Sequence, residues 1–235
     1  MQSVLLLNAK GGSGKTTIAT NLASLYASAD FKTAIIDYDP QGSSHYWGEL
    51  RKNSERPQVH LIDASHKRTG ITRAFQLKTP SDTERVIIDT PAGISRDLLR
   101  EAVDRADMII IPVAPSAIDI HATAGFIREL LLTIKTRAKG IPVGVIANRV
   151  RQATPIYQPL ERFLDSLDIP FLATLSDSDN YIEAAETGIG IHEMDPSLVT
   201  EERIEWAPLV KWIGENLPHI SQPDENILPL RSASN

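Results

Sequence analysis

The sequence predicts an α/β fold with three layers, a mostly parallel sheet covered by helices on both faces. Apolar strand-like runs alternate with amphipathic helix-like runs from end to end, the order that sets successive strands side by side through helical crossovers. Val86-Ile87-Ile88 and Met108-Ile109-Ile110-Ile111 are continuously apolar rather than alternating, as strands covered on both faces require. A glycine-rich stretch, Lys10-Gly11-Gly12-Ser13-Gly14-Lys15-Thr16-Thr17, stands between the first apolar run and the first helix-like one.

Taken in order, strands are expected at Val4–Asn8, Thr33–Asp37, Val59–Ile62, Val86–Asp89, Met108–Pro112, Val143–Ala147 and Pro170–Ala173. Helices are expected at Ile18–Ala29, near Ile94, over Ser116–Arg137 and over Glu201–Leu217, with Pro208 breaking or kinking the last. The 42% hydrophobic content of the 235 residues is enough for one sizeable core, so a single domain is expected over 1–218. From His219 the composition turns to Ser, Pro, Asp, Glu and Asn, the signature of a poorly ordered tail over 219–235.

Composition also excludes chemistry. The chain has no cysteine, which removes disulfides, thiolate metal sites and cysteine nucleophiles. Its six histidines form no close ligand pair, which argues against zinc. A net charge of −6 opposes gross attraction to a polyanion but leaves room for a local basic patch. The N-terminal residues read as a strand without a basic region or cleavage site, and no apolar run is long enough to span a bilayer, so a cytoplasmic location is expected.

The glycine-rich stretch reads as a phosphate-binding loop, which makes the fold that of a P-loop NTPase. Gly11, Gly12 and Gly14 let backbone N–H groups turn inward around an anion, with Ser13 between them, and the following helix offers its positive end at Thr16 and Thr17. Lys15 is placed to neutralise β- and γ-phosphate charge, and the Thr16 hydroxyl to sit on Mg²⁺. Two further acidic segments end apolar strands. Asp37 and Asp39 are two residues apart and share a face in extended backbone, so both can approach one metal–phosphate centre. Asp89 closes the run Val86-Ile87-Ile88, where such a carboxylate holds Mg²⁺ through water; a helix N-cap is the alternative role. In parallel sheets, ligands sit beyond the carboxyl ends of the strands, which is where these residues fall.

The general loop pattern wants glycine where this chain has Ala9, and Lys10 is an additional lysine. Lys10-Gly-Gly-Ser-Gly-Lys15-Thr16 resembles the deviant loop of the ParA/MinD superfamily of dimerising ATPases. Asp37-Tyr-Asp39-Pro-Gln-Gly resembles that family's second motif, and Asp89-Thr-Pro-Ala-Gly93 its switch segment, in the family's order over roughly residues 1 to 215. The resemblance implies that Lys10 reaches across a dimer interface to the partner subunit's phosphates, that Asp37 lies near the water shell of the metal, and that Asp39 orients the attacking water. It also implies that Asn148, with Arg149, reads the base after a later strand. A carboxamide suits adenine, and Asn-Arg-Val-Arg lacks the aspartate that a guanine site wants, so ATP with Mg²⁺ is expected.

Gln41-Gly42-Ser43 followed by Trp47 is similar to the compact ParA subgroup without a helix-turn-helix domain, although a lone tryptophan is by default a core aromatic. The implied activity is an ATPase that forms a sandwich homodimer with ATP and binds double-stranded DNA non-specifically. It positions a plasmid, chromosome or protein compartment as a ParB-like adaptor stimulates hydrolysis, which implies a nucleoid-associated location. Positive charge at Arg137, Lys139, Arg149, Arg151 and Arg162 supplies a candidate DNA patch. MinD-like membrane cycling is the alternative, opposed by the acidic, proline-broken Gln222-Pro-Asp-Glu-Asn226, so no membrane partner is expected; a small-molecule ligase or kinase on the same core is another. An iron–sulfur carrier would need cysteines.

Overall fold

The computed structural model describes residues 1–133, 140–151, 158–166 and 168–217. Seven strands form one sheet: β1 Gln2–Leu6, β2 Thr33–Asp37, β3 His60–Asp63, β4 Arg85–Asp89, β5 Met108–Val113, β6 Val143–Val150 and β7 Phe171–Ser176. Their spatial order is β3-β2-β4-β1-β5-β6-β7, and every neighbouring pair is parallel. The helices are α1 Lys15–Ser28, α2 Ser43–Arg51, α3 Arg73–Gln76, α4 Arg96–Asp104, α5 Ala117–Thr133, α6 Gln158–Asp165, α7 Asn180–Thr187 and α8 Thr200–Asn216. The three-layer parallel architecture and all seven strands agree with the sequence reading. The tail at 219–235 and the end of the predicted helix at 134–137 lie outside the described residues.

Strand parity explains the two cores. Leu5 and Leu7 point to one face with Ile36, Ile88, Ile109 and Ile111, against Leu99 of α4 and Ile127 and Leu130 of α5. Val4 and Leu6 point to the other with Ile35, Ile87 and Ile110, against Ile18 and Leu22 of α1 and Trp206 of α8. A strand with a helix layer on each side must be apolar at every position. Each fully buried Leu or Ile contributes about 1.5–3 kcal/mol. Trp47 takes its default place in this second core, 2% exposed, with its indole N–H donated to the Ile189 carbonyl at 3.0 Å.

The expected break at Pro208 does not occur: α8 runs through it to Asn216. Pro208 and Ile204, whose carbonyl loses its amide partner, both lie on the exposed side of the helix. Water can take that carbonyl, while Trp206, Leu209 and Ile213 bury the opposite side. Among the described residues no helix is long and apolar enough to cross a membrane.

Candidate nucleotide and metal site

The loop after β1 is held open by its glycines. Gly12 and Gly14 have φ of 74° and 88°, a region that costs residues with a Cβ. A Cβ on Gly14 would also collide with the Asn148 carboxamide. Gly14 is the N-cap of α1 and has no side chain with which to cap it, so the first-turn amides are left for an anion. Lys15 is buried, and its ammonium donates to the carbonyls of Asn8 at 3.2 Å and Lys10 at 3.3 Å. Burial lowers its pKa, opposed by the charges of Asp89 and then Asp39, which places both carboxylates within electrostatic reach of the loop.

Asp89 ends β4 between Leu6 of β1 and Asp37 of β2 and is fully buried. Its Oδ2 accepts from the Thr16 hydroxyl at 2.8 Å and from the Ser44 hydroxyl at 2.6 Å. Its Oδ1 is buried without a hydrogen-bond partner. Burial raises its pKa against the pull of Ser44, Thr16 and Lys15. A carboxylate oxygen buried and left over beside a P-loop threonine fits a divalent cation or a water bound to one. Among the described residues no three His, Cys, Asp or Glu side chains converge on a point. Thr16 and Asp89 would therefore hold Mg²⁺ together with phosphate oxygens and water. The N-cap alternative for Asp89 is not realised: α4 begins at Arg96 and Ser95 caps it through Leu98 N–H.

Asp37 is 3% exposed. Its Oδ1 accepts from Asp39 N–H at 2.9 Å and its Oδ2 from His45 N–H at 3.3 Å, so this carboxyl ties the turn after β2 to the first turn of α2. Burial and the neighbouring Asp89 push its pKa up to about 7, against those two amides. Asp39 is half-buried, and its Oδ1 accepts from Gln41 N–H at 3.0 Å. Thr90 and Gly93 dock the switch-like segment onto β1 and the loop, through Leu6 O at 2.7 Å and Ala9 O at 3.0 Å.

Asn148 lies buried against the loop and donates its Nδ2 to the Ser13 carbonyl at 2.9 Å, a clamp on the phosphate loop that its position near the end of β6 did not announce. Arg149 adopts a left-handed φ of 60°. It and Arg151 both pair with Asp177 after β7, at 3.3 and 2.9 Å, so one carboxylate offsets part of the predicted basic patch. Arg137 and Lys139 lie outside the described residues. Lys10 is half-exposed, with its Nζ 3.7 Å from Asp119 in the first turn of α5.

Ser44 is the residue the sequence reading missed. A lone serine carries no signal, although its place just inside a helix that starts after the Asp39 turn was available as a clue.

Comparisons with known proteins agree with this geometry. A maintenance of carboxysome distribution protein A from Halothiobacillus neapolitanus is 26% identical over 172 residues, 73% of this chain and 77% of that protein. The chromosome partitioning protein ParA of Myxococcus xanthus is 32% identical over 125 residues, 48% and 44% of the two chains. An ATP complex of a Cyanothece McdA aspartate-to-alanine variant superposes with a TM-score of 0.69 at 18% identity, over 93% of this chain and 96% of that one. The model of the CobQ/CobB/MinD/ParA nucleotide binding domain matches residues 4–191. With that match spanning most of a parallel sheet whose β1 loop, Asp37, Asp39 and Asp89 meet at one edge, the chain belongs to the CobQ/CobB/MinD/ParA nucleotide-binding family.

Proposed function

We propose that this chain is a cytoplasmic, Mg²⁺-dependent ATPase that dimerises with ATP, binds double-stranded DNA without sequence preference and positions a cargo on the nucleoid as an adaptor stimulates hydrolysis. The observation that carries the reading is the meeting of Lys15, Thr16 and Asp89 at the loop after β1, with Asp39 within electrostatic reach of Lys15 and the Asp89 Oδ1 left over. Lys15 and the first-turn amides of α1 bind the β- and γ-phosphates. Thr16 and Asp89 hold Mg²⁺, which when bound neutralises charge on the phosphates. Asp39 positions a water in line with the γ-phosphorus. The water oxygen forms the new P–O bond as the bond to the β–γ bridging oxygen breaks, ADP leaves with the electron pair, and the water's proton passes to Asp39 or solvent. Asn148 keeps its Oδ1 as an acceptor for the adenine amine, with Arg149 beside it.

Lys10 leaves Asp119 to contact the phosphates of a second copy. Since Asp177 offsets Arg149 and Arg151, one protomer is a weak polyanion binder, and a two-fold dimer doubles whatever patch remains with Arg162. Similarity to carboxysome distribution proteins favours a protein compartment as cargo. The test is a salt-titrated mobility shift with double-stranded DNA, with and without ATP. ATP-dependent binding that falls steeply with salt is expected; no binding at low salt with ATP would overturn the DNA-carrier part.

A further inference from the structure

The connection between β3 and β4 inverts the usual placement of polar and apolar side chains. In α3, the polar Arg73 and Gln76 turn inward, whereas Phe75 is 66% exposed and the neighbouring Ile71 is 41% exposed. The inward residues pin the segment. Arg73 donates to Glu101 at 2.9 Å and to Ala64 O at 2.8 Å, Gln76 donates to the carbonyls of Asp63 and His66, and Leu77 is buried in the core. The segment thus buries Leu77 but presents Ile71 and Phe75, four residues apart, to solvent, where exposed apolar groups that gather into a patch mark contact sites. From His66 to Lys78 it carries Lys67, Arg68, Arg73 and Lys78 and no acidic residue, in a chain of net charge −6; Arg68 pairs with Asp63 at 3.7 Å and Arg73 with Glu101, which leaves Lys67 and Lys78 to offer charge to a partner.

We propose that Ile71 and Phe75, flanked in sequence by Lys67 and Lys78, dock an acidic segment of a partner protein that carries a large apolar side chain. Charge complementarity selects an acidic occupant, and the apolar pair selects a protein over a polyphosphate. A duplex backbone gives Phe75 nothing to bury against. A membrane surface asks for a longer amphipathic element than the four residues of α3. The dock also touches the catalytic turn: the Arg73 guanidinium lies 5.3 Å from the centre of the Tyr38 ring, and Tyr38, which donates to Glu101 at 3.0 Å, stands between Asp37 and Asp39. Assigning this partner to the hydrolysis-stimulating adaptor rests on the function proposed above; the docking itself does not.

The test selects a random peptide library displayed on phage against the full chain without nucleotide, then measures the enriched peptide by fluorescence anisotropy. Enriched peptides are expected to combine Asp or Glu with Leu, Phe or Trp, and Phe75→Ser and Lys67→Glu are each expected to weaken binding about tenfold while leaving ATP binding intact. Enrichment of peptides without acidic residues, or binding indifferent to both substitutions, would overturn the proposal. So would a loss in both variants of binding to a short DNA duplex or to phosphatidylserine vesicles in place of the peptide. A parent protein that fails to bind ATP yet holds the peptide would sink the ATPase reading alone.

Discussion

The Ser44 hydroxyl donates to Asp89 Oδ2 at 2.6 Å, and the Thr16 hydroxyl reaches the same oxygen. Two hydroxyls thus occupy one oxygen of a buried carboxylate, while the other is left without a hydrogen-bond partner. Ser44 lies in the first turn of the helix that follows the Asp39 turn, so this bond links the turn proposed to position water to the carboxylate proposed to face the metal. Ser44→Ala is expected to raise the half-saturating Mg²⁺ concentration for ATP binding about tenfold, read by titrating a fluorescent ATP analogue. An unchanged Mg²⁺ dependence would leave Thr16 as sufficient orientation.

Asp39→Ala is expected to bind ATP and dimerise as the parent does, yet to hydrolyse ATP about 10²-fold more slowly in single-turnover assays. A water-positioning group acts in the transition state more than in the ground state. Turnover close to the parent's would move the role to Asp37.

The two loop lysines should separate. Lys15→Ala is expected to abolish ATP binding, while Lys10→Ala keeps the monomer's ATP affinity and loses the ATP dimer in sedimentation. Asp119→Asn is expected to change stability by less than about 1 kcal/mol, since half-exposed pairs contribute little, and to favour the dimer by freeing Lys10. A dimer in Lys10→Ala would defeat the reading of that residue.

Asp37 gives a pH signature in the nucleotide-free protein. Its folded pKa of about 7 lies above its unfolded value near 4, so the folded chain takes up a proton that the unfolded chain does not as pH falls between them. Its charge therefore costs stability above pH 7, on the order of 2–4 kcal/mol, and the cost disappears toward pH 4. His192 works in the opposite sense: burial lowers its pKa to about 4, which removes stability as pH falls below its unfolded value. Asp37→Asn cancels only the first contribution. Urea melts are expected to show Asp37→Asn more stable than the parent at pH 8, with the advantage shrinking through pH 5 and gone below pH 4; a pH-independent difference would contradict this.

Much of the fold was legible because strands buried on both faces leave unbroken apolar runs, and the loop, Asp39 and Asp89 were legible because spacing carries their chemistry. Other features depend on contacts distant in sequence. Arg51 and Glu193 form a bidentate pair at 2.7 and 2.8 Å with both side chains almost fully buried, yet they sit 142 residues apart and neither stands in a motif. Asp177 pairs with Arg149 and Arg151 across 28 and 26 residues of sequence, a separation that gives no local sign of the partnership. Pro208 does not end its helix, because breaking depends on whether the freed carbonyl can turn to solvent, which periodicity does not specify.

The sheet order has a consequence for synthesis. β1 sits in the middle of the sheet, and its two neighbours, β4 and β5, begin at Arg85 and Met108. At about 5–20 residues per second on the ribosome, the Val4–Leu7 stretch waits roughly 4–17 s for its first partner. The β2-α2-β3 unit is complete well before that. The nascent chain therefore carries the apolar Val4–Leu7 stretch unpaired for seconds, the kind of segment that chaperones hold, and arresting translation between Asp63 and Arg85 should capture it in that state.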